Sequence, residues 1–83
     1  MAKSFQVNIY SSDKTLYEGQ AVSLVVPCQS GYLGILADHA PLVAKLASGK
    51  ITLRLATGKS SVIDPCPGGF IEVLKNQATL LLN

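Results

Sequence analysis

The sequence predicts an all-β domain, a small β-sandwich or flattened barrel of about eight to ten short, mostly antiparallel strands. Apolar and β-branched residues come in short runs that alternate with polar ones at period two. Turn residues interrupt these runs about every ten positions, as in sandwiches and barrels. No stretch of ten or more residues joins helical periodicity to capping residues.

Phe5, Val7 and Ile9 alternate with Gln6, Asn8 and Tyr10, the pattern of a half-buried first strand. Ser11-Ser12-Asp13-Lys14 is turn chemistry, because short polar side chains bond their own backbone there. Leu16-Tyr17-Glu18 reads as a short strand ended by Gly19. Val22 to Val26 is a β-branched strand stopped by Pro27, which has no N–H for a ladder. Leu33 to Leu36 forms the next strand. Pro41 drives Ala40 out of the helical region, so His39-Ala40-Pro41 is an extended loop. Strand character resumes from Leu42 to Leu46. Ile51, Leu53 and Leu55 alternate with Lys50, Thr52, Arg54 and Ala56 in the cleanest two-sided strand. Thr57-Gly58-Lys59 turns into the strand Ser61 to Asp64. Pro65-Cys66-Pro67-Gly68-Gly69 reads as a stiff bend whose prolines cannot donate ladder bonds. Phe70 to Leu74 and Ala78 to Leu82 close a final hairpin over Lys75-Asn76-Gln77.

With 83 residues the chain is one domain, 1–83, near the lower size limit for a core without staples. Charged residues are 14%, against a usual level of roughly 25%, and the mean hydropathy is +0.35. So small a domain buries only about 60% of the surface of its unfolded chain, so apolar side chains must stay outside. Contiguous exposed apolar surface marks an interface, and the chain is expected to sit against a partner. The net charge of +2 comes from singly scattered bases and argues against nucleic acid. Apolar runs of a few residues fall far short of the roughly 20 needed for a membrane span. Met1-Ala2-Lys3-Ser4 is followed by no apolar signal segment, so the expectation is a soluble protein not secreted by the usual route.

His39 is the chain's one histidine, but no nucleophile and base gather around it in sequence, and no catalytic residue is expected. Cys28 and Cys66 lack companions at ligand spacing and read as buried or half-buried free thiols, with a disulfide between them the alternative, so no metal or cofactor is expected. Gly31 and Gly34 lack the Lys-Ser of a phosphate loop and serve tight turning. Glu72-Val73-Leu74-Lys75 places a lysine at a hairpin tip, as in lipoyl and biotinyl carrier domains modified at such a lysine. That alternative lacks the flanking methionines and an internal repeat; an unrelated β-sandwich interaction module is another.

Two blocks of residues point further. Gly31-Tyr32-Leu33-Gly34-Ile35-Leu36-Ala37-Asp38-His39-Ala40-Pro41-Leu42 is followed by Leu46, Gly49 and Ile51, and Gly68-Gly69-Phe70-Ile71-Glu72-Val73 by Asn76 and Thr79-Leu80-Leu81. Together they closely resemble the amino-terminal domain of the epsilon subunit of F-type ATP synthases. The resemblance implies a non-catalytic central-stalk subunit that packs on the gamma subunit and stands on the membrane rotor ring, coupling ion flow to ATP synthesis. It implies a peripheral place on the inner face of the bacterial cell membrane, or the thylakoid equivalent in plastids, without direct insertion. Carried over, His39, Ala40, Pro41, Leu42, Val43 and Ala44 face gamma, with Ser11 and Ser12 on the same side. Gln29, Ser30, Gly31, Tyr32 and Leu33 approach the c subunits of the ring. Two residues depart from the pattern: Tyr32 stands where relatives often carry an acid or glutamine, and Pro67 where a small residue precedes the glycine pair. The family's usual two-helix carboxy-terminal domain has no counterpart before Asn83, so its inhibitory and ATP-binding roles are not expected of these residues.

Overall fold

A computed structural model describes residues 3–83. Among them run seven strands: β1 (Phe5–Tyr10), β2 (Thr15–Ala21), β3 (Ser23–Cys28), β4 (Gly31–Ile35), β5 (Leu42–Arg54), β6 (Ser60–Leu74) and β7 (Gln77–Leu82). They hydrogen-bond in the order β2-β1-β7-β6-β5-β3-β4. β1 and β7 are parallel, and every other neighbouring pair is antiparallel.

The count falls below the expected eight to ten because β5 and β6 each absorb two expected strands. Their ladder continues through Ser48↔Pro67 and Gly49↔Cys66 and shifts register only between Gly49 and Ile51. Pro65 and Pro67 were expected to interrupt pairing, yet both lie within β6. The reason is local: β7 ends its pairing at Gly69↔Leu82, so the first half of β6 has β5 on one side and no ladder to β7 on the other. A proline there sits on a local edge, where its missing N–H costs no ladder bond. Pro27 likewise lies inside β3 instead of ending it, because the β3–β5 register shifts between Val25 and Cys28. Gly19 lies within the edge strand β2, which runs on to Ala21.

One core cluster joins the two halves of this long sheet. Phe5, Val7, Ile9, Ile71 and Leu80 come from the half around β1 and β7; Leu24, Val26, Ile51 and Leu53 come from the half around β3. Since side chains of both halves meet in one core, the sheet folds over itself at the bends of β5 and β6 into a sandwich. Its extents are 33 × 23 × 21 Å. The apolar phase of β1 is as expected, with Phe5, Val7 and Ile9 in the buried core, but Asn8 on the polar phase is buried too, its Oδ1 accepting from Gln6 Nε2.

Candidate interaction surface

Strand alternation sorts the residues of β5, β6 and β7 between core and solvent. Val43 and Lys45 point outward while Leu46 is buried and Leu42 and Ala44 pack against the core. Phe70, Glu72 and Leu74 point outward from β6, and Ile71 and Val73 inward. On β7 Leu81 is exposed and Thr79 half-buried, between buried Ala78, Leu80 and Leu82. Register then brings the outward side chains together: Val43 opposite Glu72, Glu72 opposite Thr79, and Phe70 opposite Leu81. They line a shallow depression of about 220 Å³. Val43 is 71% exposed, Phe70 54% and Leu81 56%, so three large apolar groups share one open face. Such a face on a domain this small is the mark of an interface.

The same face becomes polar toward β1 and β2. Tyr10 lies beside Leu81 and Asn8 beside Thr79 in the parallel pairing. Gln20 Nε2 donates to Gln6 Oε1 at 2.7 Å, and Gln6 Nε2 donates to Asn8 Oδ1 at 2.9 Å. The Tyr10 hydroxyl donates to Glu18 Oε2 at 3.3 Å. An apolar centre with an amide and carboxylate margin is the usual anatomy of a protein–protein contact.

Two of the segments singled out in sequence border this face. The turn holding half-buried Ser11 and exposed Ser12 follows Tyr10, and Ser11 N donates to the Lys14 carbonyl at 2.8 Å. At the other end of β1 lies the loop before β5, where His39 N donates to the Leu36 carbonyl at 3.3 Å and His39 Nδ1 lies 2.8 Å from the Ala40 carbonyl oxygen. Asp38 ties this loop to the β6–β7 turn. Its backbone N donates to Asn76 Oδ1, Asn76 Nδ2 donates to Asp38 Oδ1 at 2.9 Å, and Lys3 Nζ reaches both carboxylate oxygens at 2.9 Å. The hydrogen bond from Asn76, and then that from Lys3, hold the Asp38 carboxyl below its ordinary range. Leu42 and Ala44, expected in the same contact as Val43, are half-buried on the inward phase of β5.

Gln29 and Ser30 form the exposed β3–β4 turn and exposed Gly31 opens β4, with Leu33 half-buried behind it. Cys28↔Leu46 places this turn near the bend of β5, whereas the His39 loop enters the strand at Leu42. The two expected contact regions thus stand at opposite ends of the first half of β5. Tyr32 is 62% exposed and is not a core tyrosine. Its hydroxyl accepts a hydrogen bond from Lys50 N at 3.3 Å. A Cβ at Gly49 would lie 2.8 Å from that hydroxyl, so Tyr32 leans across to cover the glycine. Tyr32→Ala should therefore cost about 1 kcal/mol, one surface hydrogen bond and its ring contact, against roughly 3 for a core tyrosine. A thermal melt that falls by only a few degrees checks this; a fall of ten or more would show a core role.

Phe70, Glu72, Thr79 and Leu81 were not singled out as site residues in sequence. Their signal was nonetheless present: Leu80-Leu81-Leu82 puts an apolar side chain on the outward phase at the end of β7, and Phe70 and Leu74 occupy the phase opposite Ile71 and Val73. Apolar residues grouped on the outward phase of neighbouring sandwich strands mark a contact surface. Lys75 does occupy the exposed hairpin tip, in the left-handed region with φ 50°, and Gln77 opens β7 instead of belonging to the turn. Cys66 is buried and Cys28 half-buried, both free. Burial pushes the Cys28 thiol up, and Cys66 adds to the effect. Among the described residues no cluster of three or more His, Cys, Asp or Glu is placed to hold a metal ion.

Comparison with known families settles which sandwich this is. Residues 4–83 match the family model described as ATP synthase, Delta/Epsilon chain, beta-sandwich domain. The chain belongs to this family. It is 42% identical over 81 residues to the ATP synthase epsilon chain of Dichelobacter nodosus, covering 98% of this chain and 56% of that one. It is 39% identical over 80 residues to the cyanelle ATP synthase epsilon chain of Cyanophora paradoxa, covering 96% of this chain and 59% of that one. The chain thus spans somewhat more than half the length of these relatives. A chain in the Euglena gracilis mitochondrial ATP synthase, solved as an OSCP/F1/c-ring assembly, shares the fold with a TM-score of 0.86 at 20% identity, over 92% of this chain and 48% of that one. A chain in the central stalk and c-ring of the Tetrahymena thermophila mitochondrial ATP synthase does so with a TM-score of 0.74 at 15% identity, over 93% of this chain and 61% of that one. Family membership accounts for the hairpin that carries Lys75 without any carrier role.

Proposed function

We propose that this epsilon-type domain is a non-catalytic central-stalk element of an F-type ATP synthase, joining the gamma subunit to the c subunits of the rotor ring and supporting the coupling of ion flow to ATP synthesis. The observation that carries the reading is the open apolar face of Val43, Phe70 and Leu81, bordered by Ser11 and Ser12 at one side and by His39, Ala40 and Pro41 at the other. This face is the seat for gamma. Val43 contacts gamma directly, while Leu42 and Ala44 support it from the inward phase of the same strand. Gln29, Ser30, Gly31, Tyr32 and Leu33, at the far end of that strand segment, meet the ring. The domain works as a rigid link: a β-sandwich with a single core transmits torque without a change of its own packing. It acts at the membrane surface through the complex, on the inner face in bacteria or at the thylakoid in plastids, and requires no cofactor.

The test is reconstitution. An F-type synthase stripped of its own epsilon chain, in sealed vesicles, should bind this chain stoichiometrically and regain ATP-driven ion pumping. Failure to bind the stripped complex at micromolar concentration would overturn the reading.

A further inference from the structure

We infer that Asn76, through its reciprocal pair with Asp38, is the positioning residue that presents the His39-Ala40-Pro41 loop to the partner; this rests on the reading that the loop faces gamma. The loop has little else to hold it. Ala40 and Pro41 are exposed, and the loop's own backbone closure is His39 N to the Leu36 carbonyl at 3.3 Å. The Asp38–Asn76 pair instead bridges 38 residues of sequence: the Asn76 side-chain oxygen accepts from Asp38 N, and its Nδ2 donates to the Asp38 carboxylate. Both residues sit in the left-handed region, Asp38 at φ 65° and Asn76 at φ 60°, where Asp and Asn are tolerated better than most side chains. Asn76 is itself tied down, since its carbonyl accepts from Gln6 N at 3.0 Å. The hairpin tip, the start of β1 and the loop thus meet at one junction, which Lys3 closes through the Asp38 carboxylate. A loop ordered before docking loses less entropy on binding, so the clamp raises affinity without touching the partner.

Asn76→Gly isolates this role. Glycine accepts φ 60° without strain, so the turn persists while the amide is removed. Affinity for the epsilon-stripped synthase should fall about tenfold by calorimetry, and amide exchange at Asp38 and His39 should quicken, with the melting temperature nearly unchanged. The exchanged pair Asp38→Asn with Asn76→Asp keeps both hydrogen bonds: one carboxylate oxygen at position 76 accepts from the backbone N of position 38, and the other accepts from the new side-chain amide at position 38. Lys3 loses its carboxylate at position 38, but that ion pair is solvent-exposed on both sides and counts for little. The exchange should restore affinity to within about twofold. Wild-type binding with undiminished affinity in Asn76→Gly overturns the clamp alone. So does an affinity loss that the exchanged pair fails to recover. Absence of binding by the wild-type chain overturns both the clamp's role and the interface reading it rests on.

Discussion

Gly69→Ala should be strongly destabilising in this domain, costing about 3 kcal/mol or more. Gly69 has φ 139°, and it pairs with Leu82 across the β6–β7 ladder. A Cβ built there would penetrate the Leu81 carbonyl oxygen and lie 2.9 Å from the Leu82 Cα. Both obstacles are backbone atoms of a paired strand, which cannot rotate away as a side-chain tip could. Steric overlap and the left-handed conformation add, and together they should cost about 3 kcal/mol or more. In a domain of this size that lowers the melting temperature by about 15 °C, a large share of total stability. Gly34→Ala is the matching control, because a Cβ at Gly34 meets nothing within 4 Å. It should leave the melt within about 0.5 kcal/mol of wild type. Circular dichroism melts of the two variants side by side decide the matter; equal stability would mean the β6–β7 ladder is looser at Gly69 than its register indicates.

Phe70→Glu should abolish docking at working concentrations while sparing the fold. Phe70 stands at the centre of the apolar face, opposite Leu81 on one side and Lys45 on the other. The new carboxylate would share its face with Glu72 two residues on. In the free domain the charge stays wet and Lys45 offsets part of the repulsion, so the change costs only the lost cross-strand contact, about 0.5 kcal/mol. When a partner covers the face, the carboxylate must lose its water, and a desolvated charge without a fitted counterpart costs about 3 kcal/mol. That is more than a hundredfold in affinity. Calorimetry against the epsilon-stripped synthase, with a native circular dichroism spectrum as control, measures it. Undiminished affinity would overturn the proposal that gamma docks on this face.

The local grammar of the chain was legible residue by residue. Alternation in β1 and in the second half of β5 put Phe5, Val7, Ile9, Ile51, Leu53 and Leu55 inside; all are buried except Leu55, which follows the end of β5 and is half-buried. The turns at Ser11–Lys14 and Thr57–Lys59 fall where their residues place them, and the final hairpin, expected over Lys75-Asn76-Gln77, turns on Lys75-Asn76 with Gln77 opening β7. The two motif blocks identified the family over nearly the whole chain. The strand ends at Pro27 and at Pro65–Gly69 were not legible, because whether a proline ends a strand depends on which neighbour needs its N–H.

What the sequence determined by itself is therefore every preference that acts within a few residues: strand or turn, inward or outward phase, and the all-β class those choices imply. Only the tertiary structure decided which outward residues meet. Val43, Phe70 and Leu81 belong to three strands, and Asp38 meets Asn76 across 38 positions. Neither grouping leaves a periodic trace in the chain. Register between distant strands is set by how the whole sheet folds over one core, and a slip of one residue would turn each of these side chains to the other face.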